Sequence, residues 1–327
     1  MVLLLVPMLA LEAHWRRMGF EPSIKDTTNV WALLRHGVQP DSMVFVGTSR
    51  IMTNLGPNAF AEEFGGRPPV QLGIPGGSPL IILENLAQDP EFRGTVVLDV
   101  LYRWIFSKTN TESGQTGWSA EKTARSHVEA YEALRTSPYT QWETWLRMQV
   151  QSRLVFTHSQ LSPGAVVRSV LRGEKPAARF VVRRDRHMRI RFEAETDQAA
   201  DDQGASATNA SGPAMSEGER DVVLDRMARA VQQIKSRGGR VILIRLPVSG
   251  RERTDAMALF PRKMFWDVMV QRLDVPWLYT DDHPELAGFD LPDGEHLDGK
   301  DVPEFTHIFT RILKQRVGAP PVQGGGR

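Results

Sequence analysis

Short apolar runs alternate with amphipathic segments along most of the chain. Five runs are rich in Val, Leu and Ile and almost free of charge, at residues 42–47, 69–74, 94–101, 240–247 and 276–280. Apolar runs of this length are typical of parallel strands that are covered on both faces, whereas a strand with one solvated face alternates. We therefore predict an α/β fold around a sheet of five parallel strands.

Helix signals stand between and after these predicted strands. Proline at the first position, glycine after the last one and a capping-box pair are the signals that delimit helices in sequences. The predicted helices are a segment from Pro57 to Gly65-Gly66, a segment after the PGGSP turn, a long helix with Ser216 and Glu219 at capping-box spacing, a helix from Pro261 through Leu273, and a final helix capped by Asp301. This alternation of strands and helices favours one α/β domain over residues 40–317.

A long segment of different character separates the third predicted strand from the fourth. Residues 119–136 and 141–156 carry the apolar stripes of helices, and residues 188–192 alternate like a half-buried strand or hairpin. The segment is too short to form a closed core of its own from these stripes. We therefore predict that the insertion 105–215 is a cap whose apolar stripes are buried against the α/β domain. Its return, residues 193–219, is polar and aperiodic and predicts a flexible loop.

The two ends of the chain differ in composition. Residues 318–327 are rich in glycine and proline and predict a disordered tail. At the other end, an apolar run extends from Met1 to Leu11, much shorter than the about 20 residues of a membrane span. Arg16 and Arg17 follow it, on the side that the positive-inside tendency assigns to the cytoplasm. Three interpretations of residues 1–20 stay open: a truncated membrane anchor, which we favour, a signal segment, and a soluble amphipathic helix.

Composition narrows the function classes. The 327 residues are 41% hydrophobic and 24% charged with a formal net charge of +1, which is a globular composition without the strongly basic character of a nucleic-acid-binding domain. Cysteine is absent, which excludes disulfides, thiolate catalysis and metal sites with cysteine ligands. We expect no nucleic-acid partner.

Residues that could carry chemistry follow the ends of the predicted strands. Ser49 comes after the first strand, Gly73 and Gly76 after the second, and Asp293 and His296 between the fifth strand and the last helix. In open α/β sheets these connections share the edge where ligands bind. A serine needs a base to take its proton, and the base works best when a third group orients it. Ser49, His296 and Asp293 could fill these roles, although a serine in this position also makes an ordinary helix cap.

These segments resemble a known superfamily. The runs VGTSR around Ser49, GIPGG after the second strand and DGEHLDG around His296 resemble the SGNH/GDSL hydrolases, and more narrowly their cell-envelope branch related to alginate O-acetyltransferases. The resemblance implies a flavodoxin-like sheet with Ser49 as nucleophile, His296 as base and Asp293 as its orienting partner. It also implies an oxyanion hole from the backbone N–H of Ser49 and that of Gly73 or Gly76, with no cofactor and no metal.

One block of the superfamily pattern is missing. The superfamily places an asparagine after the third strand, where this chain reads VVLDVLYRWIF. We expect Arg103 or Arg245 to replace that oxyanion donor, and Arg50 to contact substrate. Loss of one such donor typically lowers turnover by about 10²–10³. This departure favours a slow, selective acyl-transfer enzyme or a non-catalytic relative over a fast esterase.

Two further groups of residues have a functional and a structural interpretation. The tryptophans could form a sugar-stacking surface or belong to the core, and they are Trp104, Trp118, Trp142 and Trp145. The arginines could bind an anionic glycan or a lipid headgroup or form a solvated strand face, and they are Arg183, Arg184, Arg186, Arg189 and Arg191.

Together these observations predict a serine acyl-ester hydrolase or O-acyltransferase that acts through an acyl-Ser49 intermediate. Its substrate would be an acylated carbohydrate of the cell envelope or an exopolysaccharide, or a small ester, with a membrane-bound acyl-donor partner. We expect a periplasmic protein anchored by its N-terminus, with a cytoplasmic protein as the alternative. The competing function is a non-catalytic polysaccharide-binding or assembly protein of the same fold.

Overall fold

A five-stranded, all-parallel sheet is the centre of the computed structural model, which describes residues 2–108, 119–158, 161, 180–192 and 213–318. The strands are β1 (Met43–Val46), β2 (Val70–Gln71), β3 (Thr95–Asp99), β6 (Arg240–Arg245) and β7 (Trp277–Tyr279). Their order in the sheet is β2-β1-β3-β6-β7, which is the flavodoxin-like order of doubly wound folds. The prediction of an α/β fold with five parallel strands is confirmed.

Twelve helices and a small antiparallel hairpin accompany the sheet in the described parts of the chain. The helices are α1 (Val2–Arg17), α2 (Thr28–His36), α3 (Ser49–Asn54), α4 (Pro57–Phe64), α5 (Pro79–Gln88), α6 (Arg103–Phe106), α7 (Ala120–Arg135), α8 (Pro138–Gln151), α9 (Glu217–Ser236), α10 (Gly250–Leu259), α11 (Arg262–Leu273) and α12 (Val302–Val317). The hairpin pairs β4 (Phe180–Val182) with β5 (Met188–Ile190).

Two apolar layers cover the two faces of the sheet. Because side chains alternate along a strand, Val44 and Val46 of β1 enter one core cluster and Phe45 enters the other. Helices α5, α9 and α11 pack on the first face, and α4 and α12 pack on the second. Both faces are therefore covered, as the near-continuous apolar runs predict.

Helix caps agree with the sequence signals in one case and not in another. Ser216 and Glu219 form the reciprocal capping box that their spacing predicts. Asp301 precedes α12 but makes no side-chain cap bond, so the prediction that it caps this helix is wrong. Its ψ of −17° is helical, whereas a capping side chain usually stands on extended backbone from which it can turn back to the first N–H groups.

The segment between β3 and β6 packs on the body of the protein. Ala124 and Leu134 of α7 belong to the same core cluster as the first face of the sheet. Helices α7 and α8 contact α2, a helix that the sequence analysis did not predict and that Thr27 caps. The hairpin lies against α3 and against Gly299, whose N–H donates to the carbonyl of Ile190 at 2.7 Å. Most of the predicted flexible loop, residues 193–212, and of the predicted tail, residues 319–327, lie outside the described residues.

The N-terminal apolar run is helical. The Glu12 carboxylate of α1 accepts hydrogen bonds from the backbone N–H groups of Val155 and Phe156 at 3.0 and 3.1 Å, which ties the helix to the chain after α8. Among the described helices, none has the length and apolar character that crossing a membrane requires.

Candidate active site

Ser49 lies at the point where β1 ends and α3 begins. The turn is tight at Gly47, where a Cβ atom would come within 2.9 Å of Ile51 Cγ2 and 3.0 Å of the Asp99 Cβ. Thr48, not Ser49, occupies the N-cap position of α3, and no side-chain cap bond forms there. Ser49 is therefore the first helical residue, and its hydroxyl is not used as a helix cap.

The Ser49 hydroxyl joins a hydrogen-bonded chain of three side chains. Its Oγ lies 2.9 Å from Nε2 of His296, and Nδ1 of the same imidazole lies 2.9 Å from Oδ2 of Asp293. An ionised carboxylate can only accept, so Nδ1 carries the ring proton and Nε2 accepts from the serine hydroxyl. The structure thus brings together the three residues that the sequence analysis assigned to nucleophile, base and orienting group.

Asp293 is held by the loop that it organises. Its Oδ1 accepts from the backbone N–H groups of His296 at 2.8 Å and of Glu295 at 3.1 Å. Partial burial raises the pKa of Asp293, but the hydrogen bonds from His296 and from these N–H groups outweigh it and lower the pKa below the usual value. The carboxylate is therefore ionised at neutral pH and can hold the imidazole in one tautomer.

Asn54 fixes the His296 loop from the other side. Its side chain, fully buried at the end of α3, donates to the carbonyl of Glu295 at 2.9 Å and accepts from the N–H of Leu297 at 3.0 Å. These two backbone groups flank His296, so one short helix carries both Ser49 and the clamp that positions its partner. The sequence does not identify Asn54 as a site residue, because nothing near it in the chain indicates a contact with residues more than 240 positions away.

Arg50 does not reach the surface. It is fully buried, and its Nη2 lies 2.7 Å from Oδ1 of Asp99 at the end of β3. The same Oδ1 accepts from the N–H of Leu246 at 3.2 Å, so Asp99 joins β3 to the end of β6. The expectation that Arg50 contacts substrate is wrong, because the side chain lies in the core as half of an ion pair.

Arg245 and Arg103 occupy different positions from those expected of oxyanion donors. Arg245 is buried, donates to the carbonyl of Val100 at 2.8 Å and stacks on the ring of Tyr102, 4.1 Å from its centroid. It is therefore a packing residue and not a donor at Ser49. Arg103 forms ion pairs with Glu252 and with Glu295, the neighbour of His296. Arg103 thus lies at the margin of the site and holds the outside of the loop.

The loop after β2 is locked by buried polar groups. The N–H of Gly73 donates to Oε1 of Gln71 at 2.9 Å, and its carbonyl accepts from Arg186 at 3.0 Å. The Gly73 N–H is therefore already bound to Gln71. Of the two glycines predicted as oxyanion donors, Gly76, with a φ of 66°, is the one whose N–H is not used in this hydrogen bond. Arg186 is fully buried and paired with Asp26 at 2.7 Å, and it holds the Gly73 carbonyl in place. In the sequence it stands out only as one member of an arginine cluster.

No metal centre is apparent in the parts of the chain that the structure describes, because no group of three or more His, Cys, Asp or Glu side chains lies together there.

Comparison with known proteins does not identify a family: neither a protein-family model nor a curated protein matches this sequence. The function is therefore inferred from the geometry around Ser49.

Proposed function

We propose that this chain is a serine acyl-ester hydrolase or O-acyltransferase of the SGNH/GDSL type, with Ser49, His296 and Asp293 as its catalytic triad. The observation that supports the proposal is the position of His296, whose two ring nitrogens lie 2.9 Å from the Ser49 hydroxyl and 2.9 Å from the Asp293 carboxylate. Acyl transfer through serine requires a nucleophile that is hydrogen-bonded to a base, and a base that is hydrogen-bonded to an orienting group.

The proposed reaction has two steps. Ser49 Oγ attacks the carbonyl carbon of an ester while His296 Nε2 takes the hydroxyl proton, and Asp293 stabilises the imidazolium. The C–O bond to the leaving alcohol then breaks, His296 returns the proton to that oxygen, and an acyl-Ser49 ester is left. Water or an acceptor hydroxyl then attacks this ester while His296 takes its proton. His296 returns the proton to Ser49 Oγ as the acyl–Oγ bond breaks, which restores the free serine.

The acceptor decides between the two activities. Hydrolase and transferase would use the same three residues, and only the acceptor and the exclusion of water would separate them. We propose a cell-envelope or exopolysaccharide ester as substrate, with a membrane-bound acyl donor for the transferase, and a periplasmic location. These assignments follow from the resemblance of the segments around Ser49 and His296 to cell-envelope members of the superfamily.

A second candidate is a non-catalytic polysaccharide-binding or assembly protein. The observation that favours it is the state of the expected oxyanion donors. The Gly73 amide is bound to Gln71, and the end of β3 carries Asp99 in an ion pair with Arg50 where the superfamily has asparagine. An acyl-transfer site with fewer donors stabilises its tetrahedral intermediate less well.

Labelling of Ser49 by a fluorophosphonate tests the proposal. A hydroxyl with a hydrogen-bonded base attacks phosphorus as it attacks an ester carbonyl, so we expect stoichiometric labelling of the intact protein, with the label located on Ser49 by mass spectrometry.

The control is Ser49→Ala, which removes one oxygen at the surface of the site and should abolish the label without changing the melting temperature. Labelling that persists in Ser49→Ala would move the nucleophile elsewhere. An inert wild-type protein would favour the binding protein.

Asn54→Ala should lower turnover although Asn54 touches no substrate. The change leaves the Glu295 carbonyl and the Leu297 N–H without their partner, so the loop that carries His296 is less well positioned. We expect kcat to fall by up to about 100-fold, and the free energy of unfolding to fall by about 1–3 kcal/mol. Ester hydrolysis and urea unfolding measure the two effects.

The matched control for this change is Asn58→Ala on α4, where the asparagine is exposed. Asn58→Ala should leave both kcat and stability unchanged. A normal kcat in Asn54→Ala together with a lower stability would show that Asn54 supports the fold and not the position of His296.

A further inference from the structure

The amphipathic helix α8 presents apolar side chains to solvent. Thr144 and Met148 are buried on the side that packs against the body. The opposite side carries an exposed stripe at spacings of three and four residues, which consists of Tyr139, Trp142, Leu146 and Val150, with Trp145 beside it. Tyr139 is 70% exposed and Trp142 58% exposed, so the stripe is a surface and not the edge of a core.

A second group of exposed apolar side chains lies on α1, the helix that contacts the chain just after α8. On α1, these side chains are Met8, Leu9 and Leu11, followed after the helix by Met18. The next residue of α1, Glu12, binds the backbone of residues 155–156, and Arg16 donates to the carbonyl of Arg153 at 2.9 Å. These contacts lie about one turn past Val150, the last residue of the stripe. We call the two groups together the α1–α8 face.

A basic groove opens at the same end of α8. It encloses about 460 Å³ and is lined by Pro22, Ser152 and Val182 together with Arg183, Arg184 and Asp185 of the hairpin. Arg183 and Arg184 are exposed, and Asp185 lies 3.8 Å from the Arg183 guanidinium, so one carboxylate accompanies two guanidinium groups. The groove therefore has an excess of positive charge, and Ser152 in its lining stands two residues after Val150, the last residue of the stripe.

We propose that the α1–α8 face binds the surface of a membrane that contains anionic phospholipids. Tryptophan and tyrosine are the side chains enriched where a membrane meets water, because each has an apolar ring and a polar group. The apolar residues of the face enter the headgroup and upper acyl region, and Arg183 and Arg184 bind headgroup phosphates in the groove. No described helix is long and apolar enough to cross a membrane, and this interfacial arrangement requires none. The proposal is independent of the proposed catalytic function.

Flotation of the full-length protein with lipid vesicles tests the proposal. We expect binding to vesicles of phosphatidylcholine mixed with phosphatidylglycerol. The double variant Trp142→Ser/Leu146→Ser should lower the partition coefficient by about tenfold or more, because each side chain loses apolar surface that the membrane would bury. Arg183→Gln/Arg184→Gln should lower binding to the mixed vesicles by roughly tenfold, with little effect on vesicles of phosphatidylcholine alone.

The matched control is Val222→Ser/Met257→Ser, which removes two apolar side chains from α9 and α10 that are at least as exposed as Trp142 and Leu146. This variant should bind like the wild type, and circular dichroism should show that all variants are folded. Unchanged partitioning of Trp142→Ser/Leu146→Ser would overturn the proposal. The proposal would also be overturned if the wild-type protein did not bind vesicles but formed dimers, and if Trp142→Ser/Leu146→Ser disrupted those dimers. A second copy of the protein would then cover the face.

Discussion

His296→Ala will reduce ester turnover by on the order of 10⁵–10⁶-fold, as expected when a serine triad loses its base. Without the imidazole, the Ser49 hydroxyl has no group 2.9 Å away to take its proton. The side chain is 15% exposed and stands on a loop at the edge of the sheet, so its removal opens no large cavity in either core cluster. Initial rates with p-nitrophenyl acetate, read beside a melting curve, measure the loss and show that the fold is intact.

Asp293→Asn separates orientation from proton transfer. The amide no longer favours the tautomer with the proton on Nδ1, so we expect a loss of about 10⁴ in turnover, smaller than that of His296→Ala. The matched control for His296→Ala is His307→Ala, which should keep full activity. His307 is partly exposed on α12 and lies near Glu62 and Glu63, away from Ser49. Full activity in His296→Ala would end the triad assignment, and full activity in Asp293→Asn would transfer the orienting role to another carboxylate such as Asp290.

The second large effect concerns stability. Arg50→Met will lower the free energy of unfolding by about 3–5 kcal/mol, because it leaves the buried carboxylate of Asp99 without the guanidinium that forms its ion pair. Both side chains are fully buried, so no water can replace the guanidinium without a rearrangement of the core. Urea denaturation followed by circular dichroism measures the change.

Two companion variants show whether the charge is the cause. Arg50→Met/Asp99→Asn removes the charge but keeps an oxygen that can accept from the Leu246 N–H, so it should recover most of the loss. Arg147→Met removes an exposed arginine that pairs with Glu143 on α8 and should cost less than about 1 kcal/mol. A loss in Arg50→Met no larger than in Arg147→Met would contradict the expectation.

The sheet and the positions of Ser49, Asp293 and His296 at its edge could be predicted because their signals are local. Each strand of a covered parallel sheet is an apolar run, and the residues after such runs share one edge whatever the rest of the chain does. Ser49, Asp293 and His296 stand directly in those connections. Their location at the same edge then follows from the topology, whereas the 2.9 Å contacts between them depend on how the loop around His296 packs.

The buried polar contacts could not be predicted in the same way. In VGTSR, Arg50 stands next to the serine and suggests a substrate contact, and nothing in that run indicates that Asp99 lies opposite on the neighbouring strand. The contacts of Asn54 could not be predicted for the same reason, because its partners Glu295 and Leu297 lie near the other end of the chain. Partners of this kind depend on how strands pair and loops pack, which a periodicity does not record.

Helix α8 shows a further limit of sequence patterns. An apolar stripe at helical spacing predicts an amphipathic helix, but it does not tell which side the body covers. We expected the stripes of the insertion to be buried against the α/β domain. In α8, Thr144 and Met148 face the body instead, and Trp142 and Leu146 remain at the surface.

The separation of Ser49 from His296 has a consequence for biosynthesis. The two residues are 247 positions apart, and Asn54 binds the backbone on both sides of His296. A nascent chain in which Leu297 has not yet been synthesised therefore lacks the contact between Ser49 and a positioned His296, however well its first strands have folded. If the site is catalytic, an incomplete or C-terminally truncated chain is inert toward the esters of the compartment in which it is made.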